Sequence, residues 1–159
     1  MRTLSKLYLA TGAVALSACT VLSKEQTPVS RQTCAPETVA LMKKLSVESG
    51  QRGTLTLESS QPGGAEDYGV YRQGPITSQL ASDVGGLPAG TLVEGVLWID
   101  TGKVQVHYTQ ARLPDGQVHP VCLVLGSSAP GGIYAEAGTT PSAITLPKTA
   151  PVTVVDKFE

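Results

Sequence analysis

A mainly β fold, a small antiparallel sandwich or barrel built around a three-strand meander with one short N-terminal helix, is what this 159-residue sequence predicts. Three observations lead there. Between residues 91 and 125 two long apolar segments flank one alternating segment, with turn chemistry at both corners. Gly and Pro are frequent, at 17 and 11 residues, and punctuate the rest of the chain. Charged residues make up 16% and aromatic residues 4%, a balance that suits a turn-rich β domain.

The chain opens with Arg2 and Lys6 ahead of an apolar run from Leu7 to Leu16. That is the layout of a secretory n-region and h-region, and it is too short to span a bilayer. Leu16-Ser17-Ala18-Cys19 follows, an aliphatic residue, two small residues and a cysteine. These four positions resemble the lipobox of bacterial lipoproteins; an ordinary signal peptide cut at an Ala-x-Ala-like site, or a helix that stays, is the other reading. The lipobox resemblance implies diacylglycerol on Cys19 and cleavage just before it, so residues 1–18 are expected to be a signal peptide. Anchoring by more than one acyl chain is then physically stable. Thr20 is not the aspartate that resembles an inner-membrane retention signal, so the resemblance implies a cell-envelope location at the outer membrane.

Residues 19–33 are polar, poor in aromatics and contain Pro28, which reads as a tether. Loss of Arg2 and Lys6 with the signal takes a formal net charge of −1 to −3. Such a balance attracts neither nucleic acid nor an anionic lipid surface. With Cys19 given to the lipid, Cys34 and Cys122 remain as a pair. In an oxidising compartment two such thiols are expected to bridge, stabilising by about 4 kcal/mol through loop closure. The alternative is that one of them is a reactive or metal-bound thiolate.

Residues 34–126 are expected to form the globular domain. Pro36 suits the first position of a helix, and Val39, Met42 and Leu45 recur at helical spacing up to Ser46, with Gly50 as the stop. Thr54 to Glu58 alternates as a strand does; Ser59 to Asp67 is a polar loop; Val70–Arg72 and Ile76–Leu80 are weaker strands. In the meander, Leu92–Ile99, Val104–Ala111 and Val118–Leu125 are the strands. Asp100-Thr101-Gly102-Lys103 makes the first corner. At the second, Pro114 presets the first central dihedral, Asp115 tolerates the next and Gly116 supplies a positive φ.

Val104, Val106 and Tyr108 share one face of the middle strand and Gln105, His107 and Thr109 the other, so that strand is expected to have one wet face. The outer two strands read as apolar on both sides. Pro120 removes a donor and so marks an edge or a bulge. Residues 127–159 read as a flexible linker, above all Gly138–Pro151, with a possible final strand over Val152–Phe158.

The chain contains no GxSxG elbow, HExxH, Walker loop or GxGxxG. Its two histidines leave one constellation for metal or nucleophilic chemistry, His107, His119 and Cys122, which lacks a fourth zinc ligand and competes with Cys34 for Cys122. Glu66 and Asp67 are either solvated loop charges or a cation site. Trp98 with Tyr68, Tyr71, Tyr108 and Tyr134 either fills the core or lines a groove. No catalytic residue, metal or cofactor is assigned.

The steps Leu87-Pro88-Ala89-Gly90-Thr91 and Leu113-Pro114-Asp115-Gly116 resemble those of the periplasmic barrel of type IV secretion channel proteins. Taken whole, the chain looks like small predicted lipoproteins of myxobacterial type, which implies a location and no particular activity. The expectation is a non-enzymatic binding or structural module, anchored in the membrane by its N-terminal lipid and partnered by an envelope protein or glycan. Two alternatives stand beside it: a small envelope hydrolase or metal-binding protein using His107, His119 and Cys122, and an accessory subunit of a secretion-type assembly.

Overall fold

A computed structural model describes residues 34–58 and 67–158. The signal segment, Cys19, the 19–33 tether and Glu66 lie outside the described residues.

The helix α1 spans Pro36–Lys44, with Pro36 in its first turn beside Glu37, and Lys43 and Lys44 in its last. Both charge placements favour the helix dipole. It ends earlier than the glycine stop suggested, because Ser46 takes a φ of 56° and the Val47 amide turns back to donate to the Met42 carbonyl at 2.8 Å. Met42 is buried, whereas Leu41 is exposed.

Among the described residues nine strands follow: β1 Arg52–Thr56, β2 Tyr68–Tyr71, β3 Gly74–Leu80, β4 Leu92–Asp100, β5 Lys103–Arg112, β6 Val118–Leu125, β7 Ile133–Tyr134, β8 Ile144–Pro147 and β9 Thr149–Val154. The order β4-β3-β1-β9-β6-β5 closes through a β4–β5 pairing into a six-stranded antiparallel barrel. Closure removes exposed sheet edges. β7 extends the sheet at the start of β5, pairing Lys103 with Tyr134, while β2 and β8 form a separate ribbon.

The meander β4–β5–β6 has the expected strands and corners. Thr101 and Gly102 both have positive φ, 47° and 82°, between the paired Asp100 and Lys103. Two such residues match the twist of a two-residue hairpin. At the second corner Gly116 has a φ of 89°, and the Gln117 amide donates to the Asp115 carboxylate at 2.9 Å. Pro120 faces Gln110, where the β5–β6 register slips after Tyr108, so the missing donor falls at a bulge.

Residues 127–158 depart from the expected linker, and the final strand expected over Val152–Phe158 runs over Thr149–Val154. β9 is a barrel strand between β1 and β6, with Leu55 opposite Ala150 and Leu125 opposite Val152. Its inward residues Ala150, Val152 and Val154 alternate with Thr149, Pro151 and Thr153. Composition concealed this: Thr, Ala and Pro read as linker, whereas long-range pairing on both sides makes the segment a wall. β8 replaces another part of the expected linker, and its Ile144 and Leu146 are buried with Tyr71 of β2.

The interior is lined by Leu55, Ile76, Leu80, Val93, Leu97, Val104, Val106, Tyr108, Leu123 and Leu125, all nearly or fully buried. β4 is not apolar-buried on both sides as expected. Only Val93 and Leu97 are buried, while Val96 and Trp98 on the other face are half-buried. Burial of the inward face alone is what barrel closure dictates for an outer wall. Trp98 therefore lies outside the barrel core, contrary to a core reading.

Candidate functional site

The outer face of the β4–β5–β6 wall carries three of the residues singled out for chemistry, Trp98, His107 and Cys122. His107 stands on β5 between Val96 of β4 and Val124 of β6. Alternation sends its side chain away from the interior that Val106 and Tyr108 fill. The expected wet face is dry here, since His107 is only 4% exposed. Two rings cover it: Trp98 meets it edge-on at 4.5 Å between centroids, and Phe158 stacks on it at 4.1 Å and 12°.

The imidazole Nδ1 is buried without a hydrogen-bond partner. Burial lowers the His107 pKa from 6.5 to about 4, because an imidazolium in this cage loses its hydration. At neutral pH the ring is uncharged.

Cys122 sits on β6 with its sulfur bonded to Cys34, the residue that precedes α1 by two positions. The bridge closes a sequence separation of 88 residues, and both cysteines are buried. Val155 reinforces the junction by donating its amide to the Cys122 carbonyl at 3.0 Å. A bonded sulfur is neither a thiolate nucleophile nor a metal ligand.

The His107, His119 and Cys122 constellation is therefore not assembled. His107 registers with Val124 rather than Cys122, and His119 pairs with Ala111, four residues further along β5. The bulge between Tyr108 and Gln110 shifts the register that a regular hairpin would have given. Among the described residues no group of three His, Cys, Asp or Glu side chains could hold a metal ion. The Asp67 carbonyl accepts from the Lys148 amide at 2.9 Å, tying this loop residue to β9's entry.

The aromatic residues do not share a groove. Tyr71 and Tyr108 are buried in the core, Tyr68 is exposed, and Tyr134 is exposed with the Lys103 ammonium 5.2 Å from its ring centre. The Tyr108 and Ser78 hydroxyls share a 2.9 Å hydrogen bond inside the barrel. Burial raises the phenol pKa of Tyr108, and that of Tyr71 as well, with Glu58 adding to the latter. Both phenols stay neutral at physiological pH.

Among the described residues the surface carries several open depressions, two of them of similar size. One of about 370 Å³ runs between α1 and the C-terminal segment, lined by Val39, Met42, Val47 and Val155 with Lys43 and Asp156. The other, of about 380 Å³, is lined by Thr56, Glu58, Thr77, Ser78, Gln79 and Leu92.

Phe158 and Ser78 are the site residues that sequence reasoning missed. Phe158 is the chain's one phenylalanine and closes an apolar segment, a signal that it has somewhere to bury. Ser78 sits between Ile76 and Leu80 at inward spacing, which marks it as a buried hydroxyl in search of a partner. No protein-family model matches the sequence, and no curated protein is significantly similar to it.

Proposed function

We propose that this protein is a lipid-anchored envelope protein, held through Cys19 and presenting its barrel as a non-enzymatic binding or structural module. The observation that supports this most is the cysteine pairing. Cys34 and Cys122 are bonded to each other, so the third cysteine, Cys19, is the odd one. It falls where the Leu16-Ser17-Ala18-Cys19 motif asks for a lipidated residue. A disulfide in the barrel wall also suits an oxidising compartment outside the cytoplasm. The barrel interior is occupied by aliphatic side chains and Tyr108, which favours recognition by the outer surface over a ligand held within. Its partner is an envelope protein or glycan.

The test is the intact mass of native protein extracted from membranes, with and without reduction and alkylation. The expected result is a chain starting at Cys19 with acyl groups attached, in which Cys34 and Cys122 react only after reduction. A chain without lipid would overturn the anchor. Alkylation of Cys122 without reduction would overturn the cysteine argument on which the reading rests.

A further inference from the structure

The C-terminal segment ends as a cover over a histidine. Val155 is fastened through its amide to the Cys122 carbonyl at 3.0 Å, Asp156 and Lys157 are exposed, and Phe158 turns back to bury itself on His107. The remaining walls of the cage are Trp98 on β4 and the strand β5 itself, both fixed in the closed barrel. Phe158 lies beyond the last barrel strand, after the exposed bend at Asp156 and Lys157. It is therefore the cover with least to lose when the cage is opened.

We propose that His107 is an acid-released latch: the neutral imidazole holds the Phe158 ring over the outer face of β5, and proton uptake from solvent expels that ring and opens the cage in which Trp98 meets His107 edge-on. Two observations besides burial carry this. The Nδ1 atom has no partner, so an added N–H at that position finds no acceptor while the cage is closed. The ring also makes its contacts to two aromatic side chains, so its surroundings reward an uncharged, flat partner. A ring face attracts a cation, yet it offers no lone pair to replace the lost water. Desolvation therefore decides, and the proton affinity of the closed cage is ~300-fold below that of free imidazole.

No neighbouring charge offsets this. On β4 and β5, Glu94 pairs with Arg112 at 3.1 Å, Asp100 stands at the far corner and Lys103 lies over Tyr134. β6 contributes no Asp, Glu, Lys or Arg. On α1 the charged groups are Glu37, Lys43 and Lys44, and on the C-terminal segment Asp156 and Lys157, both exposed. Burial is the cause of the lowered His107 pKa. Glu159 lies outside the described residues.

Trp98 is the chain's one tryptophan, so its fluorescence reports on the latch alone. In full-length protein taken from pH 7.5 to about 3.5, acrylamide quenching of Trp98 should rise with a midpoint between about 4 and 6.5. Amide exchange at residues 155–158 should rise with it, while far-UV circular dichroism of the barrel stays constant. H107F, which keeps a flat ring and cannot titrate, should abolish the transition. F158A should expose Trp98 already at pH 7.5 and return the His107 titration, followed by imidazole proton NMR, toward its ordinary value. Accessibility of Trp98 that is flat across this range overturns the latch. So does a transition that survives in H107F, or one that D156N abolishes, which would assign release to a carboxylate. Should H107F fail to fold, an unchanged His107 titration in F158A overturns it equally.

Discussion

Inside the barrel, the Tyr108 hydroxyl is fully buried and shares a hydrogen bond with Ser78; one residue earlier on the same strand, facing out, His107 is almost as buried and its Nδ1 has no partner. The two faces of β5 thus bury polar groups on different terms. The inner face is enclosed by six strands, and just ahead of β4 the buried Thr91 hydroxyl donates to the Pro88 carbonyl at 2.7 Å. The outer face is closed by a disulfide, one side of a short helix and the last residues of the chain. Around Tyr108 the interior pairs the hydroxyl it buries, whereas the outer face of the same strand leaves His107 Nδ1 and Gln105 Oε1 without partners, at a cost in stability.

Removing the cross-link is the hardest test of this contrast. C34A with C122A should lower the unfolding free energy by about 4 kcal/mol in urea titrations, since an 88-residue separation loses its constraint in the unfolded chain. The loss should first appear outside the barrel, as faster amide exchange in α1 while β5 and β9 remain protected. Uniform loss of protection would mean that the outer layer and the barrel are one cooperative unit.

On the inner side, a Cβ at Gly95 would overlap the His107 carbonyl and crowd the Tyr108 backbone across the β4–β5 register shift. G95A should therefore cost about 3 kcal/mol, because the clash is with backbone and no side chain can swing aside. A loss well under 1 kcal/mol would show that this part of the wall is soft, and would weaken the distinction between the two faces.

His107 sets a pH dependence of its own. Its folded pKa is about 4 against 6.5 for the unfolded chain, so between those values the unfolded state binds more protons. Stability is then complete above pH 6.5 and falls as the pH drops toward 4, by at most about 3 kcal/mol. Below that window both states are protonated and this contribution stays lost. The slope measured by urea midpoints across the window should shrink in H107F; an equal slope in both proteins would place the acid sensitivity on carboxylates.

What the sequence made legible follows the range of the interactions. The meander could be read because its corners are local: Thr101-Gly102 and Pro114-Asp115-Gly116 carry their own dihedral preferences. β9 was legible only from Val152 on, where alternation marks a final strand; Thr149–Pro151 is strand only by virtue of partners nearly a hundred residues away in β1. Cysteine counting reached the Cys34–Cys122 bridge without any geometry. The cage around His107 stayed hidden for two reasons. Alternation put His107 on a wet face, and nothing in a period of two announces that Phe158 returns to cover it. The His107, His119 and Cys122 constellation failed because the turn register already sets His119 against Ala111, the bulge moves His107 to Val124, and Cys122 is bonded to Cys34.

The smallest expected effect isolates the satisfied pair on the inner face. S78A leaves the buried Tyr108 hydroxyl without its partner, and Y108F does the same to Ser78, so each should cost about 1–2 kcal/mol. Removing both together leaves neither group orphaned, and the double variant should be less destabilised than the sum of the two by about 1 kcal/mol. That coupling energy, measured in a double-mutant cycle at pH 7 where Tyr108 is neutral, is the direct measure of how the interior treats its polar groups. If the two losses simply add, the hydrogen bond contributes nothing, and Tyr108 is held by packing alone. The inner and outer faces of β5 would then differ in shape and not in how they satisfy what they bury.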